Sequence, residues 1–396
     1  MTAIYSHREI HDVKVSELIF LRSLPLITLL AVQMPSGDAS LSSALAELNK
    51  GRVLEGIERL KQVLQSDPAN GPAYFYLSTL YTQMGEHAVA ERYVQRAIEI
   101  NPKQGEYYHQ LGLIRYRQKQ WGAALGLFKQ ALDIGSGKNE APVWKSMGDV
   151  ELELFDRDAA LQAYTQALRI QPNDAQTRLA LGRFYLERGE PDRAIEHLLA
   201  ALETDPLLRA AYPLLGRAYR QSGNLSSAES VLKKTLNTSP ADQESRYALG
   251  QTLLAMGRAD EARDELGKYE SIRQQVAGAN TNYETALSRL AGGKSAEAEK
   301  LLREAVRLAP TYGPALYSLG SLLLDRGSPE KALAFLDRAV EVNPLNAESW
   351  YSIGSAYFKI GKMAEALEAA KRAVVLNEDD GRYPRLVAEI QERLKK

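Results

Sequence analysis

Nine alanines of this chain fall on a ruler: Ala90, Ala124, Ala160, Ala194, Ala228, Ala262, Ala298, Ala332 and Ala366. Successive gaps are 34, 36, 34, 34, 34, 36, 34 and 34 residues. The text around them repeats too. "LGRFYLERGEPDRAIEHLLAALETDP" at 181–206 returns as "LGRAYRQSGNLSSAESVLKKTLNTSP" at 215–240 and as "LGSLLLDRGSPEKALAFLDRAVEVNP" at 319–344. Such a period means one supersecondary unit stacked on copies of itself, because a single unit cannot bury its own apolar face. A length of 396 residues would otherwise suggest two or three globular domains.

Each unit reads as two helices joined by a turn. Turn glycines such as Gly189 and Gly293 permit the left-handed backbone on which a helix stops sharply. Pro68, Pro102, Pro172, Pro206, Pro240, Pro310 and Pro344 close the units, since proline cannot continue a helix. A second glycine, as at Gly182, sits inside the first helix, where it costs about 1 kcal/mol relative to alanine. Close approach of the second helix offsets that cost. The ruler alanine is expected at the crossing, with Leu181, Tyr185 and Leu198 filling the space around it.

These letters resemble the tetratricopeptide repeat, whose pattern is W-x2-L-G-x2-Y, then A-x3-F, then a closing proline. Trp144, Met147 and Gly148 match its opening, as do Trp350, Ile353, Gly354 and Tyr357. Ala124, Phe128 and Ala131 match its second helix, as do Ala160, Tyr164 and Ala167. The resemblance implies an all-α fold, an α-solenoid wound as a right-handed superhelix of helix-turn-helix repeats. Counting back from Ala90 adds a weaker unit at about 37–70, with Gly56 where alanine is expected, so that residues 40–380 hold about ten units. Residues 381–396 read as a capping helix with Leu386, Val387 and Ile390 on its inner face. The two gaps of 36 mark insertions near 135–142 and 274–280. They are expected to change the curvature as mild hinges, and not to be domain boundaries, because the pattern resumes in phase.

Several stretches imitate chemistry. Gly292–Ser295, "GGKS", has the tail of a phosphate loop, but that loop needs a further glycine five residues earlier and a preceding strand. Ser288 stands in that place, and Gly293 falls on a turn position of the repeat. "GSGK" at 135–138 is followed by Asn139 and fails likewise. His7 and His11 have the spacing of helical metal ligands, yet they lie in a segment expected to be removed. Pairs such as Glu151 and Glu153 are what any charged helix face supplies. There is no cysteine, and therefore no disulfide, thiolate metal site or thiol nucleophile. With 49 basic and 50 acidic residues, no field of one sign is available to neutralise a nucleic-acid backbone. No enzyme, no cofactor, no metal and no nucleic-acid partner is expected.

Residues 23–32, "SLPLITLLAV", form a charge-free apolar run of the length of a signal-peptide core. A membrane span needs roughly 20 residues. Cleavage after Ala39 would start the chain where the first regular helix begins. Residues 1–39 are thus expected to be a signal peptide or, if retained, a membrane anchor acting through residues 18–34. Their mixture of Arg8, Lys14 and Arg22 with Glu9, Asp12 and Glu17 is unusual for a leader. An exported protein of a bacterial envelope, periplasmic or membrane-associated, is the expectation; a cytoplasmic protein with a mis-assigned start is the alternative.

In the resembling family the first helices line a concave groove that takes an extended peptide or a partner's helix. Carried onto this sequence, the groove residues are Phe75, Thr79, His109, Tyr116, Arg117, Lys145, Arg183, Arg217, Arg220, Tyr247, Gln251, Tyr317, Ser321, Tyr351, Ser355 and Phe358. Aromatic side chains stand at both ends and arginines in the middle, the types that most often carry interface energy. That composition suits a segment with apolar anchors around an acidic stretch. Some family members clamp a carboxyl terminus with a lysine and asparagines. The matching places hold Phe75, Thr79, His109 and Leu113, or Lys145 and Asp149, so the clamp is missing. The function expected is a non-catalytic scaffold that binds proteins. The alternatives are a substrate-recognition array associated with an enzyme such as a glycosyltransferase, or a membrane-anchored envelope or pilus assembly factor. The partner's identity and the oligomeric state stay open at this level.

Overall fold

The computed structural model of the chain describes residues 39–135 and 140–395. The leader or anchor reading of residues 1–38, with His7 and His11, and the "GSGK" insertion from residue 136 onward lie outside the described residues. The described residues form twenty helices and no strand, an all-α fold of the solenoid class.

Helices alternate in pairs. α1 (Ala39–Asn49) and α2 (Val53–Ser66) form the first hairpin, followed by α3 (Gly71–Gln83), α4 (His87–Ile100), α5 (Gly105–Arg117), α6 (Trp121–Ile134), α7 (Ala141–Glu153) and α8 (Arg157–Ile170). Next come α9 (Ala175–Glu187), α10 (Pro191–Thr204), α11 (Ala211–Gln221), α12 (Leu225–Thr238), α13 (Gln243–Ala255) and the long α14 (Ala259–Ala291). The chain ends with α15 (Ser295–Leu308), α16 (Gly313–Asp325), α17 (Pro329–Val342), α18 (Ala347–Lys359), α19 (Met363–Leu376) and α20 (Arg382–Leu394).

The boundaries follow from single residues. Each closing proline stands two residues past the end of a second helix, as Pro68 does after Ser66 and Pro206 after Thr204. First helices are capped by side chains where the sequence allows: Asp174 accepts from the Thr177 amide at 2.7 Å and Asn346 from the Ser349 amide at 2.7 Å. At the "GGKS" stretch Gly293 has φ +73°, its amide donates to Leu290 O at 3.0 Å, and the Lys294 amide donates to Arg289 O at 2.8 Å. That bond pair is a helix-ending Schellman turn. Two turns use a side chain in place of glycine, at Lys119 (φ 59°) and Phe155 (φ 63°).

The described residues fall into two compact units, one of residues 69–274 and one of residues 275–395 with 39–68. In the first, Ala124, Phe128, Ala131 and Val150 build one buried cluster, and Tyr164, Leu181, Phe184, Leu198 and Leu215 build the next. In the second, Leu302, Leu316, Leu319, Leu336 and Ile353 lie in one continuous core. Its end is covered by α20, whose Leu386 and Ile390 bury against Ala366 and Ala370. The extra residues near 274–280 take the form of unbroken helix within the 33 residues of α14, the helix in which the division between the two units falls. No proline closes that repeat, so nothing stops the helix.

The helix crossings differ in one detail from the expectation. A β-carbon built on Gly182 would lie 2.6 Å from Leu198 Cγ, and one on Gly216 would lie 2.6 Å from Leu232 Cγ. The glycine therefore receives the side chain four residues beyond the ruler alanine. Ala194 and Ala228 are themselves fully buried. At Gly354 the three nearest neighbours are all backbone of the ruler helix, with Ala370 N at 3.1 Å, because residue 370 is itself alanine.

Candidate functional site

The inner glycine sets a register for each first helix. With its own face committed to the second helix, positions three before, one after and four after the glycine share the adjoining face. In the unit of residues 69–274, Ser78 takes the glycine's place in α3, putting Phe75 and Thr79 on that face. Gly112 in α5 places His109, Leu113 and Tyr116 there, with Arg117 at its edge. Gly148 in α7 places Lys145 and Asp149, Gly182 in α9 places Arg183, Gly216 in α11 places Arg217 and Arg220, and Gly250 in α13 places Tyr247 and Gln251.

A polar network joins the middle of this face. His109 Nε2 lies 2.9 Å from Ser146 Oγ on the next first helix, with its ring 5.4 Å from that of Phe128. Burial, reinforced by the Lys145 charge, holds the imidazole pKa down at about 4, so it is neutral at physiological pH. Asp149 is shared: Lys145 Nζ pairs with its Oδ2 at 2.7 Å, and the buried Tyr164 hydroxyl donates to its Oδ1 at 2.8 Å. Burial raises the Tyr116 hydroxyl to about 12, with Asp149 and Glu153 adding to the shift and Arg117 and Arg183 opposing it. Tyr116 thus lies within electrostatic reach of Asp149 and of Arg183, one and two repeats further on.

Profiles of the tetratricopeptide repeat match the chain along most of its length. One matches residues 47–112, 151–218 and 219–290, together more than half of the chain. This chain belongs to the tetratricopeptide repeat family. Two further profiles of that repeat match residues 103–173 and residues 283–341 and 317–381.

Among curated relatives, the chain is 25% identical over 146 residues to Tetratricopeptide repeat protein 8 of Caenorhabditis elegans, covering 37% of this chain and 28% of that protein. It is 24% identical over 119 residues to General transcriptional corepressor ssn6 of Schizosaccharomyces pombe, covering 30% and 11%. The chain spans less than a third of either. Among solved structures it is similar to PilW, a type IV pilus biogenesis factor, at 17% identity and a TM-score of 0.48, covering 53% of this chain and 96% of that one. It is also similar to YrrB, a tetratricopeptide repeat protein with an unusual peptide-binding site, at 21% identity and a TM-score of 0.37, covering 48% and 98%.

Within the tetratricopeptide repeats of residues 69–274, the expected groove residues divide into four groups. Thr79 is buried and bonds back to Phe75 O at 3.1 Å, and Phe75 rests 5.5 Å from the Tyr107 ring. His109 and Lys145 are engaged in the network above; Lys145 does not offer a free charge. Arg117, Arg183 and Arg217 are exposed and Arg220 is half-buried. Among the described residues no carboxylate pairs with any of these four, and Arg220 Nε is buried without a hydrogen-bond partner. Other arginines of first helices are paired: Arg115 on α5 with Glu91 at 2.5 Å and Arg246 on α13 with Glu265 at 2.7 Å. Tyr247, 47% exposed, tilts against Tyr269 at 5.1 Å, and Gln251 is half-buried beside it.

In the other unit Tyr317 reaches Glu348 Oε2 at 3.4 Å, and Ser355 bonds to its own helix at Tyr351 O. Ser321 is half-buried. Tyr351 and Phe358 are in contact with the capping helix α20: Tyr383 lies 5.1 Å from Tyr351, and Arg393 stands over the Phe358 ring at 4.6 Å. The sequence reading overlooked Tyr164 and Ser146 as partners of the site. The i, i+4 spacing of Lys145 and Asp149 was the available signal for the ion pair; nothing in the sequence shows that a second-helix tyrosine reaches the same carboxylate.

Among the described residues, no group of three or more histidine, aspartate or glutamate side chains could hold a metal ion, and no helix is long and apolar enough to cross a membrane. The repeat family is generally non-catalytic, and what the arrangement offers is a surface that binds proteins.

Proposed function

We propose that this protein is an interaction scaffold whose first-helix face in residues 69–274 takes an extended protein segment bearing carboxylates, with apolar anchors beside them. The observation that supports this reading is the set of unpaired guanidinium groups at Arg117, Arg183, Arg217 and Arg220. A planar guanidinium offers a carboxylate two parallel hydrogen bonds. Being unpaired, it gives up no internal ion pair when it meets a partner's carboxylate. Tyr116 at one end and Tyr247 at the other supply ring faces for the flanking anchors. Asp149 keeps Lys145 neutralised and leaves the arginines as the exposed cations.

The test is the combined variant Arg183→Glu, Arg217→Glu, Arg220→Glu, titrated by fluorescence anisotropy with a labelled peptide of aspartates and glutamates flanked by phenylalanine. Loss of binding with unchanged helicity supports the reading; equal binding by the variant overturns it. Export through residues 1–39 is a separate proposal, supported by the apolar run at 23–32 alone. Fractionation with and without those residues checks it.

A further inference from the structure

The first hairpin belongs with the end of the chain. Residues 39–68 share a compact unit with residues 275–395, and α2 packs against α19, more than 300 positions away in sequence. Lys61 Nζ meets Glu378 Oε2 at 2.9 Å; the lysine side chain is 16% exposed and the glutamate 54%.

Each side of this contact is packed and ion-paired within itself. Inside the hairpin, a β-carbon on Gly56 would collide with Leu48, so α1 and α2 touch nearly backbone to side chain. Glu47 gathers Lys50 at 3.1 Å, Arg52 at 3.2 Å and Arg59 at 3.6 Å, and Arg59 also bonds Ser43. Across from it, the link that carries Glu378 is fastened: Asp379 N donates to Asn377 Oδ1 at 3.2 Å, and Arg382 bridges Asp380 and Glu348. Helical spacing puts Leu54, Ile57 and Leu64 on the same side of α2 as Lys61. Ile57 is fully buried, while Leu54 and Leu64 are half-buried. The Lys61–Glu378 ion pair thus stands in line with an apolar stripe of α2.

We propose that the hairpin of residues 39–66 is a detachable clasp whose receptor is the last repeat of the same chain, on α19 and the link to α20. A pre-formed hairpin with its own small core does not have to unfold to leave. The hairpin meets this unit chiefly through one helix against one helix, and small interfaces within a chain favour relative motion. The exposed half of the ion pair is screened by salt. Opening would bare Leu54 and Leu64 on one side and the face of α19 on the other, so each would be free for a competing helix. This proposal does not rest on the arginine face described above.

The absence of cysteine makes the experiment clean. Full-length protein carrying Lys61→Cys and Glu378→Cys is treated with a short bis-maleimide, and amide hydrogen exchange is followed in parallel on the unmodified chain. The expected result is an intramolecular cross-link on monomeric protein, weakened by Leu64→Asp. Residues 39–66 should exchange as a block about tenfold or more faster than 329–342. A cross-link found only between two chains, or none at all, overturns the receptor assignment. Exchange of 39–66 in step with 329–342 overturns the detachment.

Discussion

Gly182 and Leu198 form a hole and a knob: the leucine occupies the volume a side chain on residue 182 would need, 2.6 Å from its missing β-carbon. Gly182→Leu should overpack this crossing and cost about 1–3 kcal/mol. Gly126, also within a helix but with open space around it, is the control. Gly126→Ala should stabilise by about 0.5–1 kcal/mol through helix propensity. Urea unfolding of both variants checks the pair, and equal responses would refute the packing account.

Phe155 holds φ 63° with its ring 91% exposed, where other repeats place glycine. A left-handed conformation costs a side-chain-bearing residue roughly 1–2 kcal/mol, of which glycine's extra freedom in the unfolded chain returns a part. Phe155→Gly should therefore raise stability by about 0.5–1 kcal/mol, read as a shift in urea midpoint without a change in slope.

His109 makes acid stability testable. Its pKa falls from the ordinary 6.5 to about 4 on folding, burial first and Lys145 second. Between those values the unfolded chain binds the proton and the folded chain does not. Its contribution is whole above pH 6.5 and is lost as pH falls toward 4, at no more than about 1.4 kcal/mol per pH unit. His109→Gln should flatten that part of the stability profile measured by urea titration, whereas an unchanged slope would assign it to other groups.

Asp149 restrains the cationic face. Asp149→Asn frees Lys145 from its ion pair while leaving an acceptor for the Tyr164 hydroxyl. Peptide affinity should rise several-fold at low salt and the gain should vanish at high salt. Stability should fall by about 1–2 kcal/mol, since a charged acceptor becomes neutral. Calorimetric titration at two salt concentrations separates the effects.

Much of the architecture was legible because it is local. Proline two residues past seven of the second helices, glycine at most turns and small residues on a ruler of 34 or 36 residues act within one repeat or between neighbours, and a repeat array has mostly neighbour contacts. The "GGKS" turn at Gly293 was readable for the same reason. The register of the candidate face followed from counting, because a helix fixes which positions share a side.

What counting could not supply was partnership. Arg183 and Arg246 look alike in the sequence; only packing brings Glu265 to one and no carboxylate to the other. Leu198 and not Ala194 fills the hole at Gly182, because the crossing point depends on how deep two helices sit. The unbroken α14 and the seat of Lys61 on Glu378 lie further still from the letters. The sequence determined the repeat, its turns and its faces, through steric rules that act over a few residues. Tertiary structure alone decided which charges are paired and which distant segments meet, because those depend on distances summed over the whole stack.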